Sequence, residues 1–457
     1  MADLLWAIDA VAHELLLFAA IGLIVGGLDD LAVDLIFLVH LVTGRKRRDA
    51  ARAPLPPPTT PGRMIVFVAA WDEVAVIGEM LASAVARFDH PNYRIYVGLY
   101  PNDRPTIDAA SLVAAGDRRI RLVIGDRAGP TTKADNLNTL WHALLEDERR
   151  EGVAAKAIVL HDSEDVVHPA ELRVFDTLIE AHAVVQLPVV PLIKRSARLV
   201  SGHYADEFAE AHGKSLVVRT AIGAAMPLAG TGCAIARAML VRIADERGGD
   251  PFDASSLTED YELGLRIADL GGSGLFARRR DATGSLVAVR AYFPATIAAA
   301  TRQKARWMTG IALAGWDRTG WARLPAVADH WMRMRDRRAP IAVLVLFIAY
   351  AAVLAAVMRF AAHRWSEAAP HDAPLEATLL SATGILLAWR IAMRMICTGH
   401  CYGWREAIWA VPRLFVGNLI ALIAAPRAVA RYVAMLRGAA PVWDKTRHEF
   451  PADVARA

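Results

Sequence analysis

Two rhythms of apolar residues alternate between residues 64 and 160. Short runs rich in β-branched and apolar residues read as strands: "MIVFVAA" (Met64 to Ala70), "YRIYVGLY" (Tyr93 to Tyr100), "RIRLVIG" and "KAIVL" (Lys156 to Leu160). Between them, "VAVIGEMLASAVARF", "PTIDAASLVAA" and "KADNLNTLWHALLEDE" read as helices. This β-α-β-α-β-α-β order predicts an α/β fold with a doubly wound, mostly parallel sheet. In such sheets ligands sit beyond the carboxyl ends of the strands, and "WDE", "YPND" and "DSED" all emerge there.

Longer apolar runs bracket this region. Ala10 to Leu28, Ala339 to Met358 and Leu375 to Ile396 each come near the roughly 20 residues that cross a bilayer. The first contains His13 and Glu14 and continues through "DDLAVDLIFLVHLV" as an apolar-acidic helix to Arg45. Asp3 and Asp9 precede it and no A-x-A site follows, which argues for an anchor rather than a removable signal peptide. A fourth run, Leu414 to Pro426, holds Asn418 and is flanked by Arg413 and Arg427. It is too short to cross and is expected to be interfacial or re-entrant.

The basic clusters Arg45 to Arg48 and Arg333 to Arg338 lie beside the spans, where positive residues mark the cytoplasmic side. The expected organisation is a membrane helix and basic segment (1–52), a proline-rich linker (53–62), a cytosolic domain (63–320) and a C-terminal membrane region (321–457). The last would hold two spans, the interfacial helix and a cytosolic tail, with the N-terminus outside.

Composition agrees. The chain has 457 residues, 55% of them hydrophobic, more than a soluble enzyme of this size carries. A net charge of only +4 gives no field for nucleic acid, and neither basic cluster has stacking aromatics or an amphipathic basic helix. Cys233, Cys397 and Cys401 form no disulfide framework, and "CTGHC" lacks a second ligand pair.

Candidate chemistry concentrates at "LHDSEDVVHP", where Asp162, Glu164 and Asp165 leave the fourth strand together. Repelling carboxylates are most simply held by a hard divalent cation, Mg²⁺ or Mn²⁺. The other reading is a helix start, with Ser163 or Asp165 as the cap ahead of Pro169. His161 and His168 beside them are expected to be structural, and Arg278 to Arg280 a solvated loop. Further stretches follow in order. "AAWDE" contains Asp72 and Glu73, "TTKADNLN" contains Lys133 and Asp135, "LAGTGCAI" makes a glycine turn into a strand, "SLTEDYELGLRI" opens a helix with Glu259 and Asp260, and "RQKARWMTG" carries Gln303, Arg306 and Trp307.

That ordered set resembles the processive inverting glycosyltransferases of family 2, which include cellulose and hyaluronan synthases. With "HDSEDVVHP", "LTEDYELGLRI", "RQKARWMTGI" and the tail "VWDKTRHEFP", it is most similar to the phage-adsorption branch of bacterial inner-membrane glycosyltransferases. The resemblance implies a GT-A-like fold and a UDP-sugar donor. Asp162 and Glu164 would hold the metal, with Asp165 as a helper. Asp72, Glu73 and Asp135 would hold the uridine end, while Lys133 and Arg306 meet the diphosphate. Asp260 would be the general base, its ionisation favoured by the helix N-terminus, and Gln303 and Trp307 would belong to the same site. Trp307 would stack on the acceptor, or else be an interfacial aromatic.

The implied product is a polysaccharide on a glycan or lipid-linked acceptor, with an outer-membrane or periplasmic export partner. Transfer of one sugar to a lipid carrier, or a non-catalytic phage-entry role, are the alternatives. Members of this branch can continue into a cyclic-dinucleotide-sensing domain beyond the tail motif, so regulation is expected to be absent or to come from another polypeptide.

Overall fold

The structure, a computed structural model, describes residues 2–44, 55–366, 374–439 and 448–451. The cluster Arg45 to Arg48 and the start of the linker lie outside the described residues.

A seven-stranded sheet forms the middle of the molecule. Its strands are β1 (Arg63–Ala69), β2 (Tyr93–Leu99), β3 (Ile120–Ile124), β4 (Ala155–His161), β5 (Val184–Gln186), β7 (Cys233–Ala236) and β8 (Gly274–Phe276), in the order β3-β2-β1-β4-β7-β5-β8. β6 (Val189–Leu192) and β9 (Val289–Tyr292) pair separately as a parallel ribbon. The first four strands are parallel, as the alternation predicts, but β7 runs antiparallel to both β4 and β5.

Alternation along β1 explains the three layers. Met64, Val66 and Val68 face one core, where Ile77, Met80 and Leu81 of the helix Ile77–Arg87 pack. Ile65 and Phe67 face the other, against Leu137, Leu140, Trp141 and Leu144 of the helix Lys133–Glu151. A strand buried on both faces must be apolar at every position, which is why it reads as a continuous run.

Among the described residues, four helices are long and apolar enough to cross a membrane: Asp3–Thr43, Ala339–Ser366, Pro374–Tyr402 and Trp404–Leu436. The fourth corrects the expectation of a short segment. Leu414 to Pro426 belongs to a 33-residue helix that continues through Pro412 and Pro426. Its buried residues Ala410, Arg413, Ile420, Ala424 and Ala428 recur on one face, while Trp404, Ile408, Phe415, Leu419 and Val433 are exposed. Both ends rest on the sheet domain. Near the start, Glu406 pairs with Arg198, and near the end Tyr432 Oη donates to Asp317. Arg413, 1% exposed, reaches down to Asp206 at 3.2 Å and donates to the Arg198 carbonyl at 2.9 Å. Gly202 makes room for it, since a Cβ there would lie 2.2 Å from the guanidinium.

The N-terminal helix is tied down through charge. Arg335 and Arg338 each pair with Asp29 and Asp30, Arg390 also pairs with Asp30, and Lys214 pairs with Asp34. The three aspartates beside the first span are therefore matched inside the protein. Arg333 in the same basic cluster is fully buried between Asp269 and Asp329. Of the expected solvated loop Arg278 to Arg280, Arg280 is exposed, whereas Arg278 is partly buried and donates to the His212 carbonyl.

Candidate active site

Strand ends, the turn before β7, two helix starts and the C-terminal tail converge on one cleft of about 670 Å³. It is lined by Glu73 after β1, by Asp162 and Glu164 after β4 and by Gly230 and Thr231 before β7. Lys133 and Asp260, at the starts of their helices, line it too, and Gln303, Arg306 and Trp307 close the far side.

The acidic cluster divides its labour. Asp165 is buried and accepts from His161 Nδ1 at 2.8 Å, from the Asp162 amide at 2.9 Å and from Thr231 Oγ1. His161 Nε2 also lies 2.6 Å from Glu171. Burial opposes protonation of His161, but Glu171 and Asp165 outweigh it and raise its pKa to about 10. An imidazolium held between two buried carboxylates fixes the loop after β4, so Asp165 is a strut and His161 is structural. The helix-start reading fails. Ser163 bonds the Ala69 carbonyl, and the helix Glu171–Leu178 is preceded by Ala170 without a side-chain cap.

Asp162 and Glu164 turn to different partners. Asp162 pairs with Lys133, whose Nζ also donates to the Gly230 carbonyl at 3.2 Å. Burial disfavours the Lys133 charge, yet Asp162, Glu259 and Asp260 hold its pKa above the ordinary value. Glu164 instead joins Glu73 and His448. His448 Nδ1 stands 2.8 Å from Glu73 and 3.2 Å from Glu164, and one ligand atom from each of the three falls within 4.8 Å of the others. Glu164 is pushed up to about 8, mainly by burial, while His448 is raised to about 9 by Glu164 and Glu73 against the cost of its burial. Three such groups stacked together fit a divalent cation, which would replace the shared protons. Of the expected ligand pair, Glu164 belongs to this group and Asp162 does not.

His448 was not singled out by sequence reasoning. It sits in the "KTRHEFP" tail, nearly 300 residues from Glu164, and only that motif points to it. Glu449 pairs with Lys194, and Phe450 is buried in the core beside β1, so the tail is anchored directly after His448.

Asp260 lies deeper. Gly230 adopts φ +75°, and a Cβ there would stand 2.6 Å from Asp260 Oδ2 and 3.5 Å from Lys133 Nζ. The missing side chain lets Asp260, Lys133 and its partner Asp162 share one space. Asp260 accepts from the Tyr261 amide at 2.8 Å, but burial and neighbouring Glu259 dominate and raise its pKa to about 7. Burial and Glu259 thus work against the ionisation that the helix N-terminus favours.

Two expected residues do not line the cleft. Asp72 is exposed with φ +54°, its amide bonded to Asp103, and Asp135 pairs with exposed Arg127 in the first turn of its helix. Gln303 and Arg306 do line it, and Gln303 Oε1 and Arg306 Nε are buried without hydrogen-bond partners among the described residues. Unsatisfied polar atoms at a cleft are what a polar ligand would complete.

The chain is also similar to known proteins in sequence and in fold. The chain is 33% identical to the bacteriophage adsorption protein B of Escherichia coli K12 and to the bacteriophage N4 adsorption protein B of Escherichia coli O157:H7, over 95% of its own length. It spans 61% of the length of those relatives. Among solved structures, a mannosyltransferase from Pyrobaculum calidifontis, in complex with GDP-Man and Mn²⁺, shares the fold with a TM-score of 0.50 at 18% identity. That match covers 90% of this chain and 99% of the other. Residues 61–310, from the linker through the "RQKARWMTG" stretch, match the glycosyltransferase-like family 2, and the chain belongs to that family.

Proposed function

We propose that this protein is a membrane-bound inverting glycosyltransferase. It transfers a sugar from a UDP-sugar to a growing polysaccharide at the cytoplasmic face of the bacterial inner membrane. The observation that carries this reading is the closeness of Asp260 to Lys133 across the side-chain-free Gly230. One carboxyl stands beside the cationic group suited to a diphosphate. Asp260 takes the proton of the acceptor hydroxyl as that oxygen bonds to the anomeric carbon. The bond from that carbon to the diphosphate breaks on the opposite face, and UDP leaves with the electron pair. A retaining hydrolase would instead use two carboxyls as nucleophile and acid about 5 Å apart.

Glu164, Glu73 and His448 would hold the divalent cation, and Lys133 and Arg306 would meet the phosphates. A bound cation supplies charge neutralisation for the departing diphosphate. An imidazole among the ligands favours Mn²⁺ over Mg²⁺, whose preference is for oxygen alone. Trp307, part of the cleft wall rather than a lipid-facing anchor, offers the acceptor a stacking surface.

Purified protein in lipid, given a panel of labelled UDP-sugars with Mn²⁺ or Mg²⁺, tests this reading. Turnover of one donor that stops in chelator is expected. Activity unaffected by chelator would remove the metal, and no turnover of any donor by protein that binds none would remove the enzyme.

A further inference from the structure

The aromatic wall of the cleft contains a charged pair that neither the mechanism nor the family motif uses. Lys304 sits between Gln303 and Arg306 on the helix Ile297–Trp307. Its Nζ lies 5.0 Å from the ring centre of Tyr204 and 5.1 Å from that of Trp307. The two rings meet edge to face at 6.1 Å, so the ammonium occupies the angle between them. Glu207, one turn along from Tyr204 on the helix Val200–Glu210, pairs with the same ammonium. Behind the indole, Phe208 and Phe293 complete the ring cluster, with centroids 6.3 and 6.5 Å from Trp307.

Electrostatics favour the charged form of Glu207. Burial alone would raise the Glu207 pKa, but Lys304, His203 and Arg394 outweigh it and bring it down to about 2. A cation over two ring faces is attracted by both quadrupoles, and desolvation strengthens that attraction. Glu207 supplies the counter-charge to this partly buried ammonium. A stacking platform loses less entropy on binding when its ring is already fixed.

We propose that Glu207 and Lys304 are positioning residues for the acceptor: their ion pair, clamped between Tyr204 and Trp307, fixes the indole plane against which the acceptor sugar stacks. The proposal rests on the reading of Trp307 as part of the acceptor side. Neither residue touches the reacting atoms. Glu207 acts through Lys304, and Lys304 acts through the ring.

The test uses the full chain in lipid nanodiscs with 5-fluorotryptophan incorporated, and Trp307→Phe identifies the resonance of Trp307. Lys304→Met and Glu207→Gln should each shift or broaden that one line, and Lys304→Arg should retain it. In the same samples, Mn²⁺-dependent UDP affinity should stay at the wild-type value. Transfer of labelled sugar to the acceptor present in native membranes should fall about tenfold, with Lys304→Arg recovering most of it. An unchanged Trp307 line in both Lys304→Met and Glu207→Gln overturns the clamp. A changed line with undiminished transfer overturns its link to the acceptor. Absence of UDP binding in the wild type would instead count against the donor site and leave the clamp to be judged by its resonance.

Discussion

Asp260 carries opposing demands. A general base must be ionised, yet this partly buried carboxyl stands beside Glu259, and desolvation and that neighbour raise its pKa to about 7. The sign is clear. Below about pH 7 the carboxyl holds a proton and cannot accept another, so kcat/KM should climb with pH up to that point and then level. A wild-type profile flat between pH 5 and 8 would rule out the assignment. Asp260→Asn keeps shape and can still accept from the Tyr261 amide, so UDP-sugar affinity should hold while transfer drops by roughly 10²-fold or more. His448 makes the complementary prediction. If it is a ligand, His448→Ala should weaken Mn²⁺ binding, measured by calorimetry, by at least the about tenfold that even an outer-shell partner costs. An unchanged affinity would place the ion elsewhere. The strand-end acids and Asp260 were legible because their types and order mark them. His448 was not, since only folding brings the tail to Glu164, and the strut role of Asp165 was hidden because its burial depends on Thr231 and Glu171 from other elements.

At the scale of elements, local period revealed the strands of the first half to within one residue and the helices to within three, because each strand is apolar and each helix amphipathic. Two features escaped. The reversal at β7 is invisible in a four-residue strand, whose pairing is decided by the turn before it rather than by its own pattern. The helix Trp404–Leu436 was truncated because Pro412, Arg413 and Pro426 look like breaks in an apolar run. Each proline forfeits one backbone bond, and packing of Ala424 and Ala428 near Ala305 outweighs the loss. Arg413 is the keystone of that packing. Arg413→Met would leave Asp206 buried without its guanidinium, at a cost of about 3–5 kcal/mol. Limited proteolysis and denaturant titration should show the loosened helix. The double variant Arg413→Met with Asp206→Leu should recover most of the loss, since an apolar pair of similar volume needs no desolvation. Equal stability of Arg413→Met and wild type would mean that the helix is held by its alanine face alone.

For the whole molecule, the site and the membrane constrain each other. Four helices could cross, and four crossings would put the tail on the opposite side from the sheet domain. Yet His448 stands 2.8 Å from Glu73 and Phe450 is buried beside β1, so tail and domain share one compartment. The helix Trp404–Leu436, about 50 Å long at 1.5 Å per residue, contacts that domain near both ends, through Glu406 with Arg198 and Tyr432 with Asp317. A crossing helix would carry one of those contacts some 30 Å away through hydrocarbon. Its buried alanine and arginine face and its exposed Trp404, Ile408, Phe415 and Leu419 face suit a helix lying in the membrane plane, apolar side toward lipid. Three crossings remain, which is an odd number and places the N-terminus opposite the domain and tail. On the proposed orientation the domain side is cytoplasmic and the positive residues at Arg333 to Arg338 would mark it, although most of their charge is spent on Asp29, Asp30, Asp269 and Asp329 rather than on lipid. Reporter fusions at Pro58 and after Ala457 should therefore both read cytoplasmic, while one ahead of Ala2 should read external. A periplasmic signal after Ala457, in protein that keeps its Mn²⁺-dependent UDP binding, would show that the last helix crosses and that His448 does not reach the acids of the cleft.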